Sequence, residues 1–155
     1  MGYTTEFQGQ INIEPPLSAE EITFLKKFNE TRRMDRRNGP YHVDGTGDFG
    51  QGHDSDVRDY NRPPAGQPGL WCNWTPTDDG TAIEWDGGEK FYDSLEWMQY
   101  LIEHFLAPGA KAATELPFLQ ANHVLNGTIK AQGEEMDDRW KLIVTDNAVS
   151  RADLE

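Results

Sequence analysis

Apolar and polar side chains alternate from Tyr3 to Ile13. Tyr3, Phe7, Ile11 and Ile13 fall on one face, and Thr4, Glu6, Gln8, Gln10 and Asn12 on the other. That period of two predicts a half-buried strand, closed by Pro15-Pro16. At Ser18 the period changes: Ile22, Leu25 and Phe28 recur at helical spacing, with Phe24 beside them. Ser18 and Glu21 have the spacing of a capping box, with Leu17 and Ile22 placed as a hydrophobic staple. The helix is expected to run on through Arg32, Arg33, Arg36 and Arg37, cations suited to its C-terminal dipole, and to stop at Asn38-Gly39-Pro40. Leu70–Trp74 and Thr81–Trp85 read as strands, and the Asp79-Gly80 turn between them predicts a hairpin. Phe91 to Leu106 is the clearest helix, with Leu95, Met98, Leu101, Ile102 and Phe105 as its apolar stripe. Val124–Ala131 and Trp140–Thr145 are predicted strands joined by the acidic turn Gly133–Asp138. From Asn147 the chain is polar and reads as a fraying tail.

The order β-α-β-β-α-β-β predicts an α+β fold. The expected form is a two-layer sandwich: a largely antiparallel sheet, both helices on one face, ferredoxin-like topology and an extra edge strand. Residues 1–146 form one domain in this reading, and 147–155 a flexible acidic tail.

Between the first helix and the hairpin lies a polar stretch, Asn38 to Gly69. It holds seven Gly, four Pro and five Asp. Loops of this length are usually functional or disordered. This one is flanked by an Arg-rich helix end and a Trp-bearing strand, which offer cations for its Asp residues and aromatic faces for Tyr41, Phe49 and Tyr60. It is therefore expected to pack as an ordered insertion, and it is where a site is sought first.

Charge narrows the function classes. The chain of 155 residues carries a net charge of −13, and 63–155 hold sixteen acids against six basic residues. Such a surface repels nucleic acid and anionic membranes, and favours a protein partner with a basic surface. No apolar run approaches the length of a membrane span and no leader pattern opens the chain, so a cytoplasmic location is expected. Cys72 is the lone cysteine, excluding an intrachain disulfide and a cysteine metal cluster. Its strand-like setting reads as a small buried side chain. Sheet edges permit either a monomer or a homodimer.

Candidate site residues fall into two groups. In the loop, His42, Asp44, Asp48, His53, Asp54, Asp59, Tyr60 and Arg62 are candidates for ligand or partner binding. The His and Asp residues match no established metal spacing, so no metal and no cofactor is assigned. Gly45, Gly47 and Gly50 can be read as a dinucleotide-binding spacing, but no strand precedes them and no helix follows. On the sheet and its turn, Trp71, Trp74, Trp85, Asp86 and Glu89 are candidates, since an indole on an exposed sheet face offers a stacking surface. His104 and His123 read as structural. No nucleophile–base arrangement is legible, so no catalytic residue is assigned.

The run Gly50-Gln51-Gly52-His53-Asp54, with Asp59-Tyr60-Asn61-Arg62-Pro63-Pro64, Gly69-Leu70-Trp71-Cys72 and Glu84-Trp85-Asp86-Gly87-Gly88-Glu89-Lys90-Phe91-Tyr92, resembles a family of short uncharacterised bacterial and bacteriophage proteins. The resemblance implies a bacterial or phage origin and carries over no activity. Together these readings describe a non-catalytic acidic binding protein, with an inhibitor or nucleic-acid mimic as its possible form. The alternative is a small-molecule or metal-binding enzyme whose His/Asp-rich loop closes over the Trp-bearing sheet.

Overall fold

The computed structural model describes residues 3–43, 56–89 and 91–154. The strands are β1 (Glu6–Glu14), β2 (Asp35–Arg36), β3 (Val57–Asp59), β4 (Trp74–Pro76), β5 (Ala82–Trp85), β6 (Val124–Gln132), β7 (Arg139–Thr145) and β8 (Ala148–Asp153). The helices are α1 (Ala19–Glu30) and α2 (Ser94–Leu101). The latter continues as a π-helical turn over Ile102–Leu106.

Six strands form one sheet in the order β4-β5-β1-β6-β7-β8, every neighbouring pair antiparallel. Alternation decides its faces. Phe7, Ile11 and Ile13 of β1 point inward with Ile83, Leu125, Ile129, Leu142 and Val144, and they share one core with Phe24, Leu25 and Phe28 of α1 and Trp97, Met98 and Leu101 of α2. Gln8, Gln10 and Asn12 stay exposed on the opposite face. The architecture is α+β, an antiparallel sheet with its helices on the apolar side.

Phe7 is the aromatic hub. Trp74, Trp85, Phe91 and Trp140 meet its ring edge-on at centroid distances of 5.1–6.0 Å. The expectation of an indole on an exposed sheet face is therefore corrected for Trp74 and Trp140, which lie in the core at 1% and 7% exposure. Phe7 recruits them to the inner face, where edge-to-face pairing adds to burial.

Three boundaries differ from the sequence reading. α1 stops at Glu30 rather than near Asn38, with Thr31 already extended. Arg33 and Arg36 are buried instead of lining a helix end. The Arg33 guanidinium lies 4.1 Å from the Phe28 ring centroid and donates to the Pro40 and His42 carbonyls. Arg36 pairs with Asp56, and its strand β2 pairs with β3. In the second case, of Leu70–Trp74, only Trp74 lies in a strand; before it the Leu70 carbonyl accepts the Arg33 amide and the Asn73 carbonyl the Asp86 amide. The third is the expected tail, which is strand β8, paired with β7 from Thr145↔Ala148 to Trp140↔Asp153. Asp146 and Asn147 both take positive φ, 47° and 72°. That is the two-residue hairpin turn whose twist matches the flanking strands, and Asp and Asn tolerate it well.

The capping box at Ser18 forms as its spacing requires. Glu21 does more than cap. Its carboxylate accepts the Ser18 and Gln120 amides and the Nε2–H of His123, whose Nδ1 lies 2.6 Å from the Pro15 carbonyl. Both His123 nitrogens face acceptors, an arrangement that favours the doubly protonated, positively charged ring. Burial opposes both charges, but the mutual bond and the amides outweigh it, holding Glu21 below and His123 above their ordinary values. This closed pair ties the start of α1 to the start of β6.

Candidate functional site

The site lies where the β4–β5 hairpin, the turn after β5 and the start of α2 meet. Asp86 fixes the turn: its carboxylate accepts N–H from Asn29 at 2.9 Å, Asn73 at 3.2 Å and the Gly88 amide at 2.7 Å. The Asn29 amide also donates to the Cys72 and Trp74 carbonyls, joining the last turn of α1 to β4. Trp85 closes the turn from within by donating its indole N–H to the Gly88 carbonyl at 3.1 Å. A Cβ on Gly88 would lie 2.1 Å from the Asn73 side-chain nitrogen, so a larger residue there would displace that side chain and its bond to Asp86.

A pocket of about 270 Å³ opens beside this turn. Trp71, Asn73, Glu89, Tyr92 and Asp93 line it, with Gly69 in its wall. On the other side of Trp71, a shallower hollow runs past Asn29, Glu30, Asn73 and Asp86. Asp93 occupies the N-cap position of α2 without making a side-chain cap bond. Burial holds its carboxyl above the usual range. A Cβ on Gly69 would fall 2.9 Å from the Asp93 Oδ2, so a larger residue there would push that carboxylate aside.

Two tyrosines carry the surface onward. The Tyr92 hydroxyl accepts the Tyr3 amide at 3.0 Å, and the Tyr3 hydroxyl donates to Asp138 at 2.7 Å. Glu134 accepts the Thr4 amide at 2.8 Å, and the Tyr3 hydroxyl accepts the Glu135 amide at 3.1 Å. The acidic turn between β6 and β7 is thereby fastened beside the pocket. Asp86 and Glu89 from one turn, and Glu134, Glu135 and Asp137 from the other, are all exposed.

Of the sheet and turn candidates, Trp71 and Glu89 line the pocket, and Asp86 lines the neighbouring hollow with Trp71. Trp85 supports the turn from behind. Trp74 stands outside the site: its indole N–H is spent on the Ser94 carbonyl within the core.

The loop candidates divide differently. Asp44, Asp48, His53 and Asp54 lie outside the described residues, as do Gly45, Gly47 and Gly50. The His42 and Tyr60 carbonyls accept from Arg33 and Arg32. Asp59 accepts the Asn61 amide and lies 3.8 Å from Arg62, and Arg62 presents its carbonyl to the Asp35 amide. These contacts fold the described ends of the loop against the end of α1.

The same segment is pinned to α2 by a ring cluster. The Tyr41 hydroxyl meets His104 Nδ1 at 2.7 Å, and the Tyr100 ring stacks on His104 at 3.8 Å. Gln67 bridges the Pro40 carbonyl and the Tyr100 hydroxyl. Burial pushes the Tyr100 phenol up to about 12 and holds the His104 imidazole below its ordinary value. Cys72 is fully buried and its thiol is pushed up to about 12 by burial, consistent with packing rather than nucleophilic chemistry.

Among the described residues, no group of three or more His, Cys, Asp or Glu side chains is arranged to hold a metal ion. Likewise, no helix is long and apolar enough to cross a membrane. Sequence reasoning missed Asn29, Asn73, Tyr92 and Asp93. The available signal was Asp93-Ser94, an N-cap pattern obscured by starting the helix at Phe91. No family model, no curated protein and no solved structure matches the chain.

Proposed function

We propose that this chain is a non-catalytic binding protein whose acidic face engages a protein partner with a basic surface. One observation carries the reading: Tyr3 bonds both Tyr92 at the pocket and Asp138 of the Glu134–Asp138 turn, which brings that acidic turn beside the pocket lined by Glu89 and Trp71. A rigid row of exposed carboxylates around an aromatic side chain suits arginine and lysine side chains, through charge and through ring contact. An inhibitor or nucleic-acid mimic would use such a face. The strand order β4-β5-β1-β6, with α1 and α2 in the two crossovers, supports a ferredoxin-like core extended by β7 and β8. The resemblance of the 50–92 motifs supports a bacterial or phage origin.

The test is calorimetric titration with an arginine-rich peptide at low and moderate salt. Binding should weaken steeply with salt. It should weaken further when Glu134, Glu135, Asp137 and Asp138 are replaced together by Gln and Asn. No binding at low salt, or equal binding by the replaced turn, overturns the proposal.

A further inference from the structure

We propose that β8 is a self-complementary edge through which two copies of this chain join, pairing antiparallel about Ala152 so that their sheets become one. The inference goes beyond the acidic face and uses different residues.

The two edges of the sheet are finished differently. β4 is three residues long and ends at Pro76, which has no N–H, and its Trp74 carbonyl accepts the Asn29 side-chain amide. Short length and proline blunt an edge. β8 is six residues long, holds neither proline nor glycine, and keeps an unbroken register with β7. That register decides which of its backbone groups are spent. Leu154 donates its amide to the Arg139 carbonyl at 2.9 Å. Bonded and non-bonded pairs alternate along an antiparallel ladder, so Ala148, Ser150 and Ala152 also turn their N–H and C=O toward β7. Those of Val149, Arg151 and Asp153 point away from the sheet. Among the described residues, no other backbone group bonds to them. Every β8 residue except Val149 is exposed.

The side chains select the occupant. Arg151 and Asp153 stand two residues apart on one face, and the Arg151 Nε–H donates to the Asp153 carboxylate at 3.1 Å. Antiparallel pairing about Ala152 sets Arg151 opposite the partner's Asp153 and Asp153 opposite the partner's Arg151. Each charge then has its opposite both along its own strand and across the interface. Opposite charges directly across a strand pair are stabilising and like charges are not. The same two residues carry the outward N–H and C=O groups, so backbone bonding and charge pairing fall in one register. On the other face, Ala152 meets its own copy with a small side chain. Centring the pair on Arg151 instead sets two guanidinium groups against each other and is disfavoured. A two-fold contact of this kind closes on itself and yields a dimer, not a filament. One strand pair is a small interface, below about 1,200 Å², so a reversible monomer–dimer equilibrium is expected.

The test is sedimentation equilibrium of the full chain between roughly 10 µM and 1 mM. Salt is held at about 0.15 M, which screens the repulsion between two chains of net charge −13. The mean mass should climb from 17.6 kDa toward twice that value. Arg151→Asp and Asp153→Arg, each confirmed folded by circular dichroism, should both stay monomeric throughout. An equimolar mixture of the two variants should associate again, because each supplies the charges the other needs. A second reading uses the unaltered protein: the Arg151 and Asp153 amides should exchange more slowly as concentration rises, while those of Ser150 and Ala152, already bonded to β7, should not change. Replacing the 134–138 acids should leave the association in place, so failure here is separable from failure of the acidic-face reading. A wild-type chain that stays monomeric overturns the proposal. So does association that survives either single charge reversal, a mixture of folded variants that does not associate, or protection that does not rise at Arg151 and Asp153.

Discussion

Replacing His123 by Gln tests the buried pair that ties α1 to β6. The imidazolium makes two bonds, 2.6 Å to the Pro15 carbonyl and 2.9 Å to Glu21 Oε2, and neither side chain of the pair is exposed. Removing one member of a buried ion pair typically costs about 3–5 kcal/mol, because the remaining charge stays buried. Glu21 keeps the Ser18 and Gln120 amides, which puts the expected loss near the lower end, about 3 kcal/mol. For a chain of this size that corresponds to a fall in Tm of roughly 6–12 °C. The pH dependence has a definite sign. His123 has a folded pKa above its ordinary 6.5, so its contribution is complete below that value and is lost as pH rises through the folded pKa. Glu21 is held below its ordinary 4.5, so its contribution is complete above that value and is lost as pH falls through the folded pKa. The stability gap between wild type and His123→Gln, from urea denaturation, should be widest between about pH 4.5 and 6.5 and should narrow toward pH 9. A gap that is constant or grows with alkaline pH refutes a charged pair.

Three further outcomes follow from the site and the sheet edge. Asp86→Ala leaves the Asn29 and Asn73 amides and the Gly88 N–H without their shared acceptor, and should cost about 1 kcal/mol in urea denaturation, with faster hydrogen exchange at Gly88 than in wild type; unchanged stability and exchange would contradict the role of Asp86. Cys72 should resist alkylation at pH 8 in the native protein and react fully in denaturant, since its thiol is fully buried; native reactivity would contradict the packing. Ending the chain at Asn147 removes β8 and the Arg151 guanidinium lying 4.4 Å from the Trp140 ring centroid, so tryptophan emission should shift to the red and urea stability should fall. An unchanged spectrum and midpoint would mean that β8 behaves as a tail.

Periodicity made the main elements legible. The alternation of β1, the Ser18–Glu21 capping box and the apolar stripe of α2 all depend on local chemistry that the chain displays directly. What escaped depends on distant partners. The end of α1 is set by contacts that no local pattern records: Arg33 turns to the Pro40 and His42 carbonyls, and its own amide bonds to the Leu70 carbonyl. β8 was hidden because its residues are polar; the Asp146-Asn147 turn was the readable clue, and it sits where the chain otherwise looks like a frayed end. At the site, Asp86, Glu89 and Trp71 were within reach of sequence because they cluster around one turn. Asp93 was not, since its place at the pocket comes from its approach to Gly69, more than twenty residues away in the chain.

The most direct test of the acidic face is chemical-shift mapping of the ¹⁵N-labelled chain with an arginine-rich peptide at low salt. The expected result is that amides of Glu89, Tyr92 and Glu134–Asp138 move together and return as salt is raised. Absence of shifts there, or shifts confined to the opposite sheet face around Gln8, Lys130 and Lys141, would contradict the account.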